Sequence, residues 1–101
     1  MSVRGYIEKE PSETFMAGID FAPWLETGET ISTATVTARN KATGADTTST
    51  LLSGTAVIAG TKVTRRVVAG GDGEVHILTV RATTSLTNTY ESELAIEVRE
   101  L

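Results

Sequence analysis

FAPWLETGETISTATVT, from Phe21 to Thr37, sets an aromatic pair, a proline and a glycine ahead of a Thr/Val/Ala alternation. In the second half, Ala34, Val36 and Ala38 alternate with Thr33, Thr35 and Thr37. Period-two alternation is the mark of a strand with one apolar face, and threonine suits the pleated, half-exposed face. Ile31 breaks the parity, which predicts a β-bulge near Ser32-Thr33. The apolar residues on this strand are small and leave space. Phe21 and Trp24 supply the volume to fill it, at one end of a sheet-on-sheet core. Pro23 between them cannot donate to a ladder and stops the preceding strand.

Working outward, Phe15, Ala17, Ile19 and Phe21 put four apolar side chains on one face of a strand. Beyond Arg39, residues 40–49 (NKATGADTTS) read as a polar loop. Thr50-Leu51-Leu52 and Ala56-Val57-Ile58 are short apolar runs on either side of Ser53-Gly54. Lys62 to Val68 reads as a strand, Ala69 to Gly73 as a hairpin loop, and Val75 to Thr83 as the partner strand. His76, Leu78, Val80 and Ala82 share one side of that partner. A turn at Leu86-Thr87-Asn88 leads to Tyr90–Arg99, with Leu94, Ile96 and Val98 inward and Glu93, Glu97 and Arg99 outward. No segment carries a helical period with caps.

About seven short strands with turn signals near every ten residues predict an all-β fold, an immunoglobulin-like antiparallel β-sandwich. A small barrel is the runner-up. The polar start, with its Glu8-Lys9-Glu10 charge run, reads as a flexible N-terminal arm over residues 1–12, with the sandwich domain over 13–101. Tyr6 and Ile7 have no evident partner within the chain, so the arm is a candidate for ordering on contact with a neighbour.

Composition narrows the function classes. A chain of 101 residues is one domain, and without cysteine it has no disulfide or thiolate site. Nine basic against thirteen acidic residues give a net charge of −4. Only Arg65-Arg66 are adjacent, and in a strand they point to opposite faces, so no nucleic-acid surface is expected. No apolar run reaches the ~20 residues of a membrane helix, and MSVRGYIEKEP shows no signal-peptide apolar region. The expectation is a protein made in the cytoplasm. Threonine, with eighteen residues, covers the solvent faces.

Three features invite chemistry. The GGDG run, Gly70 to Gly73, lacks the GK[ST] ending and following helix of a phosphate loop, and reads as a turn. His76 is the sole histidine, with no second His, Cys or calcium-loop pattern beside it. It sits where immunoglobulin-like folds keep a tyrosine whose ring packs inward and whose polar tip bonds backbone. Glu91, Glu93, Glu97 and Glu100 gather near the end of the chain, and a solvated outer strand face accounts for them. No catalytic, cofactor-binding or metal-binding residue is expected, and no cofactor.

Taken together, FAPWLETGETISTATVT, DTTSTLLSGTAVIAGTKVTRRVVAGGDGEVHILTVRATTS and the closing ELAIEVRE resemble small structural proteins of tailed bacteriophages and prophages. The nearest family is the phage fibre–tail adaptors, over about Thr14 to Glu100. His76 departs from the aromatic often found at its position there. The resemblance implies a non-enzymatic virion part, a fibre–tail adaptor or other tail or neck connector. Its partners would be other phage structural proteins, tail or fibre components, held in the particle with or without symmetric homo-oligomerisation. The alternative is a stand-alone fibronectin-like or carbohydrate-binding module, against which the scarcity of aromatics counts.

Overall fold

In the computed structural model, which describes residues 3–100, seven strands form two facing sheets. They are β1 (Val3–Lys9), β2 (Phe15–Asp20), β3 (Ile31–Asn40), β4 (Leu52–Ala59), β5 (Lys62–Val67), β6 (Val75–Thr84) and β7 (Thr89–Val98). One sheet has the order β1-β7-β6-β3 and the other β2-β5-β4. The all-β sandwich expected from the alternation is present. A single helical turn, α1 (Thr48–Leu51), precedes β4.

The alternation places the core as read. Val36 and Ala38 of β3, Leu78, Val80 and Ala82 of β6, and Leu94, Ile96 and Val98 of β7 are buried on one face of the first sheet. Ala17, Leu52, Val63 and Val67 close on them from the second. The pairing of β3 with β6 shifts register between Ile31 and Thr33, which is the bulge that the parity break at Ile31 predicts. The aromatic pair divides its work. Phe21 is 0% exposed, whereas Trp24 is half-buried and covers it, with ring centroids 5.4 Å apart and planes tilted by 55°. A 3₁₀ turn, Ala22–Trp24, carries Pro23 at its start and swings the indole over the phenyl ring.

Three expectations need correction. The loosely held arm over residues 1–12 contributes a strand instead. β1 lies parallel to β7, with Tyr6 opposite Ala95 and Lys9 opposite Val98, so the sandwich is not wholly antiparallel. The Tyr6 hydroxyl donates to Glu97 Oε2 at 2.6 Å, and Ile7 packs on the core. Lys9, read as part of a solvated charge run, is 1% exposed. Its Nζ donates to the carbonyls of Glu10 (2.9 Å) and Pro11 (3.2 Å), and burial pushes its pKa below the usual lysine range. Carbonyl partners satisfy the ammonium that burial strips of water.

Second, β5 and β6 are not a hairpin. They lie in different sheets, so Ala69 to Gly73 is a crossover. Gly70 takes φ +122°, and a Cβ there would meet Val98 Cγ2 at 2.7 Å, so glycine is required twice over. Third, the first apolar run is split, with Thr50-Leu51 ending α1 and Leu52 opening β4, which continues through Ala56-Val57-Ile58 with a register shift against β5 between Ser53 and Val57.

β2 and β5 approach each other closely at Gly18, where a Cβ would lie 1.8 Å from the Val63 carbonyl oxygen. That contact is with backbone and cannot yield without moving the strands.

Phe21→Ala should cost roughly 3–5 kcal/mol in urea or thermal unfolding, the range for a sealed aromatic. Trp24→Ala, which uncovers a half-exposed ring, should cost roughly 1–3 kcal/mol by the area it loses. The reverse order would contradict the division of labour between the two rings.

Candidate functional site

The three features with chemical promise fall at one end and along one outer face of the sandwich. His76 opens the inner face of β6 and is 3% exposed. Its Nε2 lies 2.9 Å from Glu74 Oε1, and its Nδ1 lies 3.1 Å from Thr47 Oγ1. A carboxylate only accepts, so Nε2 carries the hydrogen and donates to Glu74, while Nδ1 shares a hydrogen bond with the threonine hydroxyl. The sequence reading expected the polar tip to bond backbone. Both nitrogens instead bond side chains, joining β6 to the loop before α1 and to the crossover after β5.

Thr47, His76 and Glu74 are connected as a hydroxyl, an imidazole and an acid, the connectivity of a nucleophile activated through a base. They border a hollow of about 260 Å³ shared with Thr50, Leu51 and Gly71. Three amides of the crossover beside it are already committed. Gly71 N donates to Glu74 Oε1 at 2.7 Å, Gly73 N to the Val98 carbonyl at 2.8 Å, and Glu74 N to the Gly71 carbonyl at 3.1 Å. An oxyanion or a phosphate would need such amides free. The GGDG crossover brings its own anions to them: Asp72 accepts from Glu100 N at 2.9 Å, and the Gly71 amide, followed by His76, holds the Glu74 carboxyl below its ordinary range. What the arrangement does physically is clamp the loop end of the sandwich.

The four C-terminal acids do not converge. Glu91 is exposed. Glu93 pairs with Arg39 Nη1 at 3.1 Å, and Glu97 takes Tyr6 and Arg99. Arg99 also lies 3.5 Å from Glu8, so it offsets the like charges of Glu8 and Glu97, which stand opposite each other across β1 and β7. Among the described residues no three His, Asp or Glu side chains are placed to hold a metal ion.

One polar centre escaped the sequence reading. Glu29, between β2 and β3, is 6% exposed. Its Oε1 accepts from Glu26 N at 2.9 Å, and its Oε2 from Asn88 Nδ2 at 3.0 Å and from the Thr84 hydroxyl. The Thr84 hydroxyl foremost, then the Glu26 amide, keep this carboxyl charged below its usual range. The signal in the sequence was Gly28-Glu29 in a turn, indistinguishable from a solvated loop acid. Only the fold brings Thr84 and Asn88 to it from some fifty-five residues away.

These features define a small all-β sandwich whose polar clusters lock its own loops and edges. Compared with known families, residues 9–97 match the family described as podophage GP4 fiber-tail adaptor protein gp77, and the chain belongs to that family. The match takes in β2 through nearly all of β7. No curated protein matches the chain.

Two predictions follow from the polar clusters. His76→Phe should leave the fold intact but cost roughly 1–3 kcal/mol, because Thr47 and Glu74 lose a shared partner. A cycle with Thr47→Val should then be non-additive, and simple additivity in thermal unfolding would mean the two do not couple. For pH, Glu29, Glu74, Glu97, Asp20 and Asp46 all have pKa values lowered in the folded state by hydrogen bonds. Unfolded carboxyls titrate at about 4, so below that the unfolded chain binds more protons. The stability these groups contribute is full above about pH 5 and drains away as pH falls through the folded values. Glu29→Gln should lower stability at pH 7 and flatten its decline in acid. An unchanged acid slope would show that Glu29 is not linked to folding.

Proposed function

We propose that this protein is a non-enzymatic connector of a phage or prophage particle, a fibre–tail adaptor built into the virion after synthesis in the bacterial cytoplasm. The observation that carries the reading is the family match over residues 9–97. The geometry agrees with it. The amides and acids that could serve chemistry are spent on holding loops, as a part that works by shape requires. Its partners are tail and fibre proteins, and the scattered cations of a chain with net charge −4 argue against nucleic acid.

We read the sandwich as immunoglobulin-like and as a single domain that includes β1. The orders β2-β5-β4 and β7-β6-β3 parallel the B-E-D and G-F-C arrangements of that fold, with β1 added beside β7. A second reading, the carbohydrate-binding module, has one feature in its favour, a hollow of about 250 Å³ bordered by Trp24, Tyr90 and Glu91. Trp24 is the sole tryptophan, so its emission would report a bound sugar directly.

The test is assembly. Particles made without this protein should have tails lacking fibres, and purified protein should restore attachment. A Thr47→Val, His76→Gln double variant that still folds should restore it equally, since no turnover is involved. Fibre-bearing, infective particles formed in its absence would overturn the reading. So would a folded double variant that fails to complement.

A further inference from the structure

Each side of the sandwich exposes two edge strands, and on one side they are treated differently. The β3 edge is closed by the chain itself. Ala38 N donates to Thr48 Oγ1 at 2.9 Å, Thr47 N donates to the Ala38 carbonyl at 2.9 Å, and Asn40 N donates to Ala45 O at 2.9 Å. Arg65 Nη1 reaches across from β5 to the Val36 carbonyl at 2.7 Å. Beside it, β4 is the terminal strand of its sheet, and among the described residues no backbone bond of 53–59 to anything but β5 is recorded. Natural sheets usually blunt such an edge with charge or proline. Here LSGTAVIA carries neither, and Val57 and Ile58 are 46% and 39% exposed. The bulge after Ser53 bends the strand and leaves 57–59 as its regular end.

The charge around this edge is of one sign. A groove of about 290 Å³ between β3 and β4 is bordered by threonines, alanines, Val36 and Arg65, with no acid. The Arg65 Nε is buried without a hydrogen-bond partner among the described residues. On the outer face, Arg66 stands opposite Ser53 and Lys62 opposite Ala59. Both cations thus sit behind a small β4 side chain that a longer one on an added strand could reach over. Neither forms an ion pair within 4 Å among the described residues, although Asp20 stands opposite Lys62 on the other flank. In a protein of net charge −4 this is a basic margin, offset only at Lys62, whose charge acts on Asp20.

We propose that the β4 edge is a docking site for an extended acidic segment of a partner protein. The segment adds as a strand beside β4, with apolar side chains over Ile58 and the groove and carboxylates reaching Arg66 and Lys62. Backbone bonds supply the attachment and the cations supply register and choice of partner. This deepens the adaptor reading by naming the surface and the partner's chemistry. It can fail while fibre attachment still depends on the protein, because it is tested by peptide binding rather than by assembly.

The probe is an acetylated, amidated octapeptide of alternating Glu and Val, titrated into the full ¹⁵N-labelled chain at low salt, with the Lys/Val octapeptide as its counterpart. The Glu/Val peptide should shift the amide signals of residues 53–59 and bind at least tenfold more tightly than the Lys/Val peptide. In a variant carrying Arg66→Glu and Lys62→Glu, both exposed positions, the preference should reverse toward the Lys/Val peptide. Unfolding of the variant is checked first, and Arg66→Glu alone should already cut Glu/Val binding several-fold. Equal binding of the two peptides, shifts confined to β1 or β2, or an unreversed preference would overturn the proposal. So would concentration-dependent self-association through β4 that excludes the peptide, or displacement of the peptide by an oligothymidine, which would mark the margin as a nucleic-acid surface.

Discussion

His76, Leu78, Val80 and Ala82 are sealed from water along the inner face of β6, and the other strands take their places around that fact. β3 and β7 flank β6 in antiparallel registers, interrupted on the β3 side by the bulge between Ile31 and Thr33, and the second sheet closes over its apolar side. Burying a run of this length is the largest favourable contribution available to a chain without disulfides or metal. Ala34 and Ala82, opposite each other on β3 and β6, are small, and Phe21 adds volume to the core cluster they belong to.

The same requirement explains the polar residues inside. A sandwich this small cannot bury strand ends and crossovers without meeting backbone groups and polar side chains. Three buried polar centres are answered by neighbours: Lys9 by two carbonyls, Glu29 by an amide, a hydroxyl and a carboxamide, His76 by Thr47 and Glu74. Glu29 and His76 sit where elements distant in sequence meet, so they report that the chain has closed correctly. All three act as latches between β1 and its following loop, between two turns, and between the crossover and α1. A rigid part of a larger assembly benefits from such latches because its loops then present one shape.

Edges complete the picture. Four hydrogen bonds quiet the β3 edge, whereas β4 is left apolar, uncharged and backed by cations. A protein that must bind neighbours yet not itself has reason to keep one edge open and to make its surroundings selective by charge. Membership in a fibre–tail adaptor family gives that asymmetry a setting.

What the chain alone determined was local and periodic. Alternation over 31–38, 75–83 and 90–98 assigned strands and inward faces, the parity break at Ile31 located a bulge, and quoted stretches carried the family. What only the tertiary structure decided was partnership. Lys62–Val67 and Val75–Thr84 have hairpin-like spacing, but each pairs elsewhere, because inter-strand choice depends on which faces can be buried together. Val3–Lys9 hides as a charge run since its strand character appears only when Ile7 and Lys9 turn inward against β7. Glu29 reads as one more solvated acid until Thr84 and Asn88 arrive beside it. Side-chain period is a property of neighbours in the chain, whereas pairing and polar satisfaction belong to neighbours in space.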